Sequence, residues 1–149
     1  MAMELGKTLD ALIPKTLDQI ITRNRALCSL HLSSDDDIAH LQRIIVATEQ
    51  DAKDVIRDWR IVCIDRPPEH GGKDHILLGY AQKAGVPWST SVLVGIDLVS
   101  RSVLTTSGSL YRLAGEKAQG EPPFEHVLQM CRTLTQWGVG RLLGVLEVF

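Results

Sequence analysis

Between residues 38 and 59, Ile38, Leu41, Ile45, Thr48, Ala52, Val55 and Trp59 recur at alternating steps of three and four residues, with Ile44 and Ile56 widening the stripe. Steps of that size bring side chains to one face of an α-helix, so the pattern predicts a helix of about six turns. Such a helix would pack on a neighbouring helix as a hairpin or form a coiled-coil seam with a second subunit, with Ile38, Leu41, Ile45 and Val55 as dimerisation residues. Only three heptads are present and Thr48 is a weak seam residue, so packing within the domain is the expected use.

The flanks supply boundaries. Pro14 suits a first helical position, and Leu17, Ile20, Ile21, Asn24, Leu27 and Cys28 follow at helical spacing, predicting a first helix that pairs with the second. "SLHLSS" breaks this pattern, and Ser33 or Ser34 is the expected N-cap of the next helix, with Asp35, Asp36 and Asp37 in its first turn, where the helix dipole favours carboxylates. Consecutive helical residues point about 100° apart, so this acidic triplet caps a helix and does not converge on a cation.

Beyond Trp59 the pattern turns to strands. "RIVCID", "HILLGYA", "STSVLVGIDL", "SVLTT" and "SLYRL" read as β-rich runs, the last three as an antiparallel meander, while "RPPEHGGKD" and "QKAGVPW" read as loops. In "TTSGSLYRL", Gly108 accepts positive φ and Ser107 bonds the local backbone, which is what a tight hairpin needs. Pro123 opens a last helix with Phe124, Val127, Leu128, Cys131 and Leu134 on its apolar face, stopped by Gly138. The tail "RLLGVLEVF" is apolar enough to require burial as a strand or short helix, or a partner. The fold class is α+β: an N-terminal helical pair, an antiparallel β meander and a C-terminal helix packed on the sheet, in one domain over 1–149, helical to about 59 and β-rich from about 60.

Bulk properties narrow the functional classes. At 149 residues the chain can bury a real core. A formal charge of -2 provides no overall field to collect phosphate backbones, so nucleic-acid binding would rest on a local cluster, Arg57, Arg60 and Arg66, or on Arg23 with Arg25. Cys28, Cys63 and Cys131 are odd in number and far apart, which argues for a reducing compartment and no disulfide framework. With neither a secretory apolar segment nor a run of about 20 apolar residues, a cytoplasmic location without membrane insertion is expected.

No strong catalytic signature is present, and no cofactor or catalytic residue is implied. Cys63, Asp65, His70, Asp74 and His75 have the right chemistry for a divalent metal, although their spacing matches no recognised module; a metal-dependent enzyme using residues 63–75 is the second functional class. A nucleophile arrangement of Ser107 or Ser109 with His126 and Asp97 carries no sign of convergence. Trp88, Arg101, Tyr111 and Arg112 form the expected recognition face, aromatic and arginine-bearing, on the sheet.

"VLVGIDLVSRSVLTTSGSLYRL", followed at a distance by "LTQWGVGRLLGV", resembles small accessory proteins of bacterial phages and other mobile elements. The resemblance covers less than half of the chain. It implies a protein without catalysis that binds a bacterial host complex, as inhibitors of CRISPR defence do, and it transfers no site residues. The expected function is therefore protein binding by an inhibitor or modulator of a bacterial defence complex, and the long helix could supply homodimerisation as the alternative to packing within the domain.

Overall fold

A computed structural model describes residues 13–46 and 51–148. They form an α+β structure with a seven-stranded mixed sheet. The strands are β1 Ser29–Leu32, β2 Ala52–Asp65, β3 Lys73–Ala81, β4 Val86–Ser89, β5 Leu93–Asp97, β6 Ser102–Thr105 and β7 Leu110–Leu113. The α-helices are α1 Asp35–Leu41 and α2 Phe124–Gln136. Along the sheet the order is β4-β3-β2-β7-β6-β5, and β1 also pairs with β2.

The central strand β2 is 14 residues long and changes neighbour part-way. Its first half runs parallel to β7, with Ala52 opposite Leu110 and Ile56 opposite Leu113, whereas its last residues run antiparallel to β1, with Val62 opposite Leu32 and Asp65 opposite Ser29. Its other edge pairs with β3, and there the register shifts between Arg57 and Arg60. Asp58 has φ 49°, and Asp58 and Trp59 together oppose Gly79, which is a β-bulge. Where β7 gives way to β1, the loop after β7 takes over the edge. Ala114 N–H donates to the Ile56 carbonyl and Ala118 N–H to that of Trp59, while Arg60 donates to the carbonyls of Gln119 and Gly120.

The bulge explains why helical periodicity misleads here. Ile56, Trp59 and Ile61 all enter one core, at steps of three and two, because one extra residue resets the alternation of a strand. The predicted six-turn helix is therefore replaced by α1, a segment beside β5 and the first part of β2; Thr48 lies outside the described residues. The expected helical region to about 59 ends inside a strand. Ile38, Leu41, Ile45 and Val55 consequently do not share one helix face. Ile38 is buried in the core with Leu41 against it, Ile45 is half-buried beside β5, and Val55 pairs with Arg112 within the sheet.

The first predicted helix is also corrected. Only Leu17–Gln19 is helical, as one 3₁₀ turn, and residues 20–28 are irregular, tied to the C-terminal tail. Thr22 and Arg23 N–H donate to the Leu143 carbonyl, and Asn24 donates to that of Leu142. The apolar residues are buried nonetheless. Leu17, Ile20, Ile21 and Cys28 join Leu143 and Val145 of the tail, Val127, Met130, Cys131 and Leu134 of α2, and Val62, Ile64, Ile76 and Leu78 of the sheet in a first core. On the opposite face, Ile38, Ile56, Trp59, Ile61, Leu77, Ile96, Val103, Tyr111 and Leu113 form a second core. The central strands are thus buried on both faces, and "RIVCID" and "HILLGYA" are apolar at nearly every position for that reason.

Several local expectations are met. Ser34 caps α1: its hydroxyl accepts from Asp37 N–H (3.1 Å) and its own N–H donates to the Asp37 carboxylate (3.4 Å), a reciprocal capping box. β5, β6 and β7 pair antiparallel in succession, and Gly108 closes the last hairpin at φ 83°. Two strands that the sequence pattern does not predict are present, β1 in "SLHLSS" and β4 in "VPWS", the latter mostly within the expected loop.

Gly79 is the tightest backbone contact of the bulge: a Cβ there would lie 2.5 Å from Ile56 Cγ2 and 2.8 Å from the Arg57 carbonyl oxygen. The carbonyl cannot swing aside as a side chain would, so Gly79→Ala is expected to destabilise the fold by about 2 kcal/mol. A shift of the urea unfolding midpoint to lower concentration with unchanged slope is the check.

Candidate functional site

The expected recognition face is largely committed to the fold. Tyr111 is 3% exposed and belongs to the second core. Its hydroxyl accepts from Trp88 Nε1–H at 3.3 Å, and Trp88 lies half-buried under Lys53, whose ammonium sits 5.5 Å from the ring centroid. Arg112 donates to the Ser100 carbonyl at 2.9 Å, and Arg101 to the Gly115 carbonyl and the Glu116 carboxylate. Trp88 and Tyr111 therefore meet, but as an inward pair. A strand residue that alternates towards the core takes its aromatic ring with it.

Among the described residues, the large apolar side chains with the greatest exposure lie at the far end of β5. Ile44, Val46 and Val99 are 88%, 95% and 96% exposed, and Leu98 is 41% exposed. These residues sit on two segments held side by side. The chain after α1 runs parallel to β5 through the Gln42–Ile96 bridge, and Arg43 N–H donates to the Ile96 carbonyl at 2.9 Å. Gly95 leaves room for the Arg43 stem, which fills the space that a Cβ would need. Asp97 fastens both segments: one carboxylate oxygen accepts from Ile45 N–H (2.9 Å), the other from Val99 and Ser100 N–H (3.0 and 3.2 Å). Beside this surface opens a groove of about 470 Å³, lined among others by Ile38, Gln42, Trp59, Leu98 and Arg101. Arg101 is thus the one predicted recognition residue that borders it.

The residues of the nucleophile arrangement, which carry no sign of convergence in the sequence, are engaged separately. Asp97 serves the two loops, Ser107 bonds Thr105 within its turn and Ser91 ahead of β5, and His126 is buried on α2, where burial and then the charge of Arg60 push its pKa down. The basic cluster is likewise dispersed. Arg57 stacks on Tyr80 at 4.3 Å, Arg60 is buried against the loop after β7, and Arg66 pairs with Asp74.

Of the metal candidates, the structure gathers Cys63, Asp65 and His75 and sends the other two elsewhere: His70 is exposed on a 3₁₀ turn and Asp74 is engaged by Arg66. Two residues that sequence reasoning missed complete the group. His31 of β1 and His75 of β3 stand directly opposite Cys63 on either side, so the three form one row across β1, β2 and β3. Asp37 of α1 closes over the row, and the ligand atoms of His31, Cys63 and Asp65, and those of Asp37, Cys63 and His75, lie within 4.8 Å of one another in each set. The alternation of Ser29, His31 and Ser33 against Leu30 and Leu32 in "SLHLSS" is the strand signal that would have placed His31.

His31 Nε2 contacts the Asp65 carboxylate at 2.9 Å and its Nδ1 contacts the Leu32 carbonyl at 3.0 Å. His75 Nδ1 contacts the Ser33 hydroxyl at 2.6 Å. Burial, reinforced by Asp65 and Asp37, pushes the Cys63 thiol up to about 11, so by itself it is a poor nucleophile at neutral pH.

No family model, curated protein or solved structure matches this chain.

Two measurements test this arrangement. Tyr111→Ala is expected to cost about 3 kcal/mol of stability in denaturant unfolding, as a core truncation does and a surface one does not. The N–H groups of Ile45 and then Ser100 hold the Asp97 carboxyl below its usual range. A depressed folded-state pKa contributes stability that is present above the unfolded value near ~4 and lost as pH falls through the folded value. Hydrogen-exchange protection of residues 43–46 is therefore expected to hold from neutral pH to about 5 and to fall below about 4. Asp97→Asn should lower that protection at neutral pH.

Proposed function

We propose that this protein is a non-catalytic binding factor that docks a protein partner on the surface formed by Ile44, Val46, Leu98 and Val99. The observation that carries this reading is the near-complete exposure of three aliphatic side chains on backbone already fixed by hydrogen bonds to β5 and Asp97. Apolar surface displayed on ordered backbone marks an interaction site, because the ordering cost that weakens association has been met in advance. The adjoining groove, with Trp59 and Leu98 in its wall, suits an apolar anchor residue of the partner. The unactivated Cys63 thiol and the separation of Asp97, Ser107 and His126 support a role without covalent catalysis. An inhibitor or modulator of a bacterial defence complex, the role that the resemblance of residues 92–113 implies, makes such host complexes the first partners to test.

Tagged protein passed through nuclease-treated bacterial lysate is expected to retain one defined complex in stoichiometric amount. A variant carrying Ile44→Asp and Val99→Asp, with an unchanged thermal melt, should bind that complex at least about tenfold more weakly, a loss of roughly 1.4 kcal/mol. A photo-crosslinker at position 99 should label one component of it. Capture undiminished in the double variant would move the interface elsewhere, and absence of any stoichiometric partner for the parent protein would overturn the reading.

A further inference from the structure

The row across β1, β2 and β3 has no part in the docking surface, and its chemistry points to an ion. We infer that His31, Cys63 and Asp65 form a binding site for one divalent transition-metal ion of the zinc class. A point between three atoms no more than 4.8 Å apart lies within about 2.8 Å of each, so reaching metal–ligand distances of about 2.0–2.3 Å asks each side chain to move by under ~1 Å. The three residues come from neighbouring positions of two paired strands, His31 opposite Cys63 and Asp65 two residues further on the same face, so the backbone that aims them is rigid.

Three further observations favour this set. The Leu32 carbonyl at His31 Nδ1 is the outer hydrogen bond that fixes the tautomer of a metal-bound histidine and leaves Nε2 for the ion. Nε2 already stands 2.9 Å from an Asp65 oxygen, in a contact where an ion would replace a proton. The side chains of His31 and Asp65 are 44% and 34% exposed, which gives an ion a path from solvent, while Cys63 supplies a fully buried sulfur beneath them.

The electrostatics are those of a cation site. Asp65, Asp37 and Asp74 all act to keep the Cys63 proton in place, and only Lys73 opposes them. A dication reverses that balance by taking the thiolate as a ligand and releasing its proton to water. One thiolate, one imidazole and one carboxylate form a borderline-soft set that suits zinc or cobalt and not magnesium or calcium. Three protein ligands leave a fourth position for water.

Cobalt(II) titration of the metal-free full chain, followed by absorbance, tests the site. The expected result is a thiolate-to-cobalt charge-transfer band that saturates at one equivalent and disappears when zinc is added. Cys63→Ser should abolish the band, but Cys63 is a core residue, so the half-exposed positions carry the decisive variants. His31→Gln and Asp65→Asn should each weaken cobalt binding at least about tenfold with unchanged circular dichroism. His70→Gln should bind as the parent does. Absence of the band, or unchanged binding in both His31→Gln and Asp65→Asn, would overturn the proposal. So would loss of the band in Asp37→Asn and His75→Gln alone, which would place the ion in the adjoining set.

Discussion

The fold hangs on one strand with two different neighbours along the same edge. β2 pairs with β7 through Ile56 and with β1 from Val62. Between them the backbone needs other partners, since an unpaired buried carbonyl costs as much as a lost hydrogen bond. The loop after β7 provides these through Ala114 and Ala118, and the Asp58–Trp59 bulge turns the strand at the point of exchange. Remove the bulge and every inward residue from Trp59 onwards changes face, so Ile61 and Cys63 would exchange places with Val62 and Ile64. The second core and the polar row would be lost together.

That same bulge governs what was legible in the sequence. Hairpin, helix N-cap and last helix could be read because each depends on neighbours within a few residues: Ser34 with the first turn of α1, Ser107 with Gly108, Pro123 with the face of α2. The long helix could not be judged that way. Its spacing of three and four is what an amphipathic helix gives, and it is also what a short helix, a segment beside a strand and a bulged strand give when joined. The first helix failed for a related reason. Leu17, Ile20 and Ile21 are buried, as their spacing required, but the backbone donors of Thr22 and Arg23 are satisfied by Leu143, over a hundred residues away. Tertiary pairing of that range leaves no local trace.

The sites divide along the same line. Cys63, Asp65 and His75 were legible as reactive types in one short span, whereas His31 and Asp37 joined them only through strand pairing and through α1 folding over the sheet. Trp88 and Tyr111 of the expected aromatic face do find each other, with Tyr111 turned into the core and Trp88 half-buried. Ile44 falls on the helical stripe, with Val46 close after it, and Leu98 and Val99 fall at a strand end, so no sequence window contains the surface they share.

The tie between the two ends of the described chain sets an order of assembly. The second core draws on residues 38–113 and can close as soon as β7 is made. The first core needs Leu17 and Ile20 to meet Leu143 and Val145, and Gly144 must pass against Thr22. Closing a loop of that length is entropically slow and late. During synthesis, the apolar face of Val62, Ile64, Ile76 and Leu78 therefore waits uncovered until α2 and the tail leave the ribosome. That interval is when the chain is most exposed to aggregation and to chaperone capture.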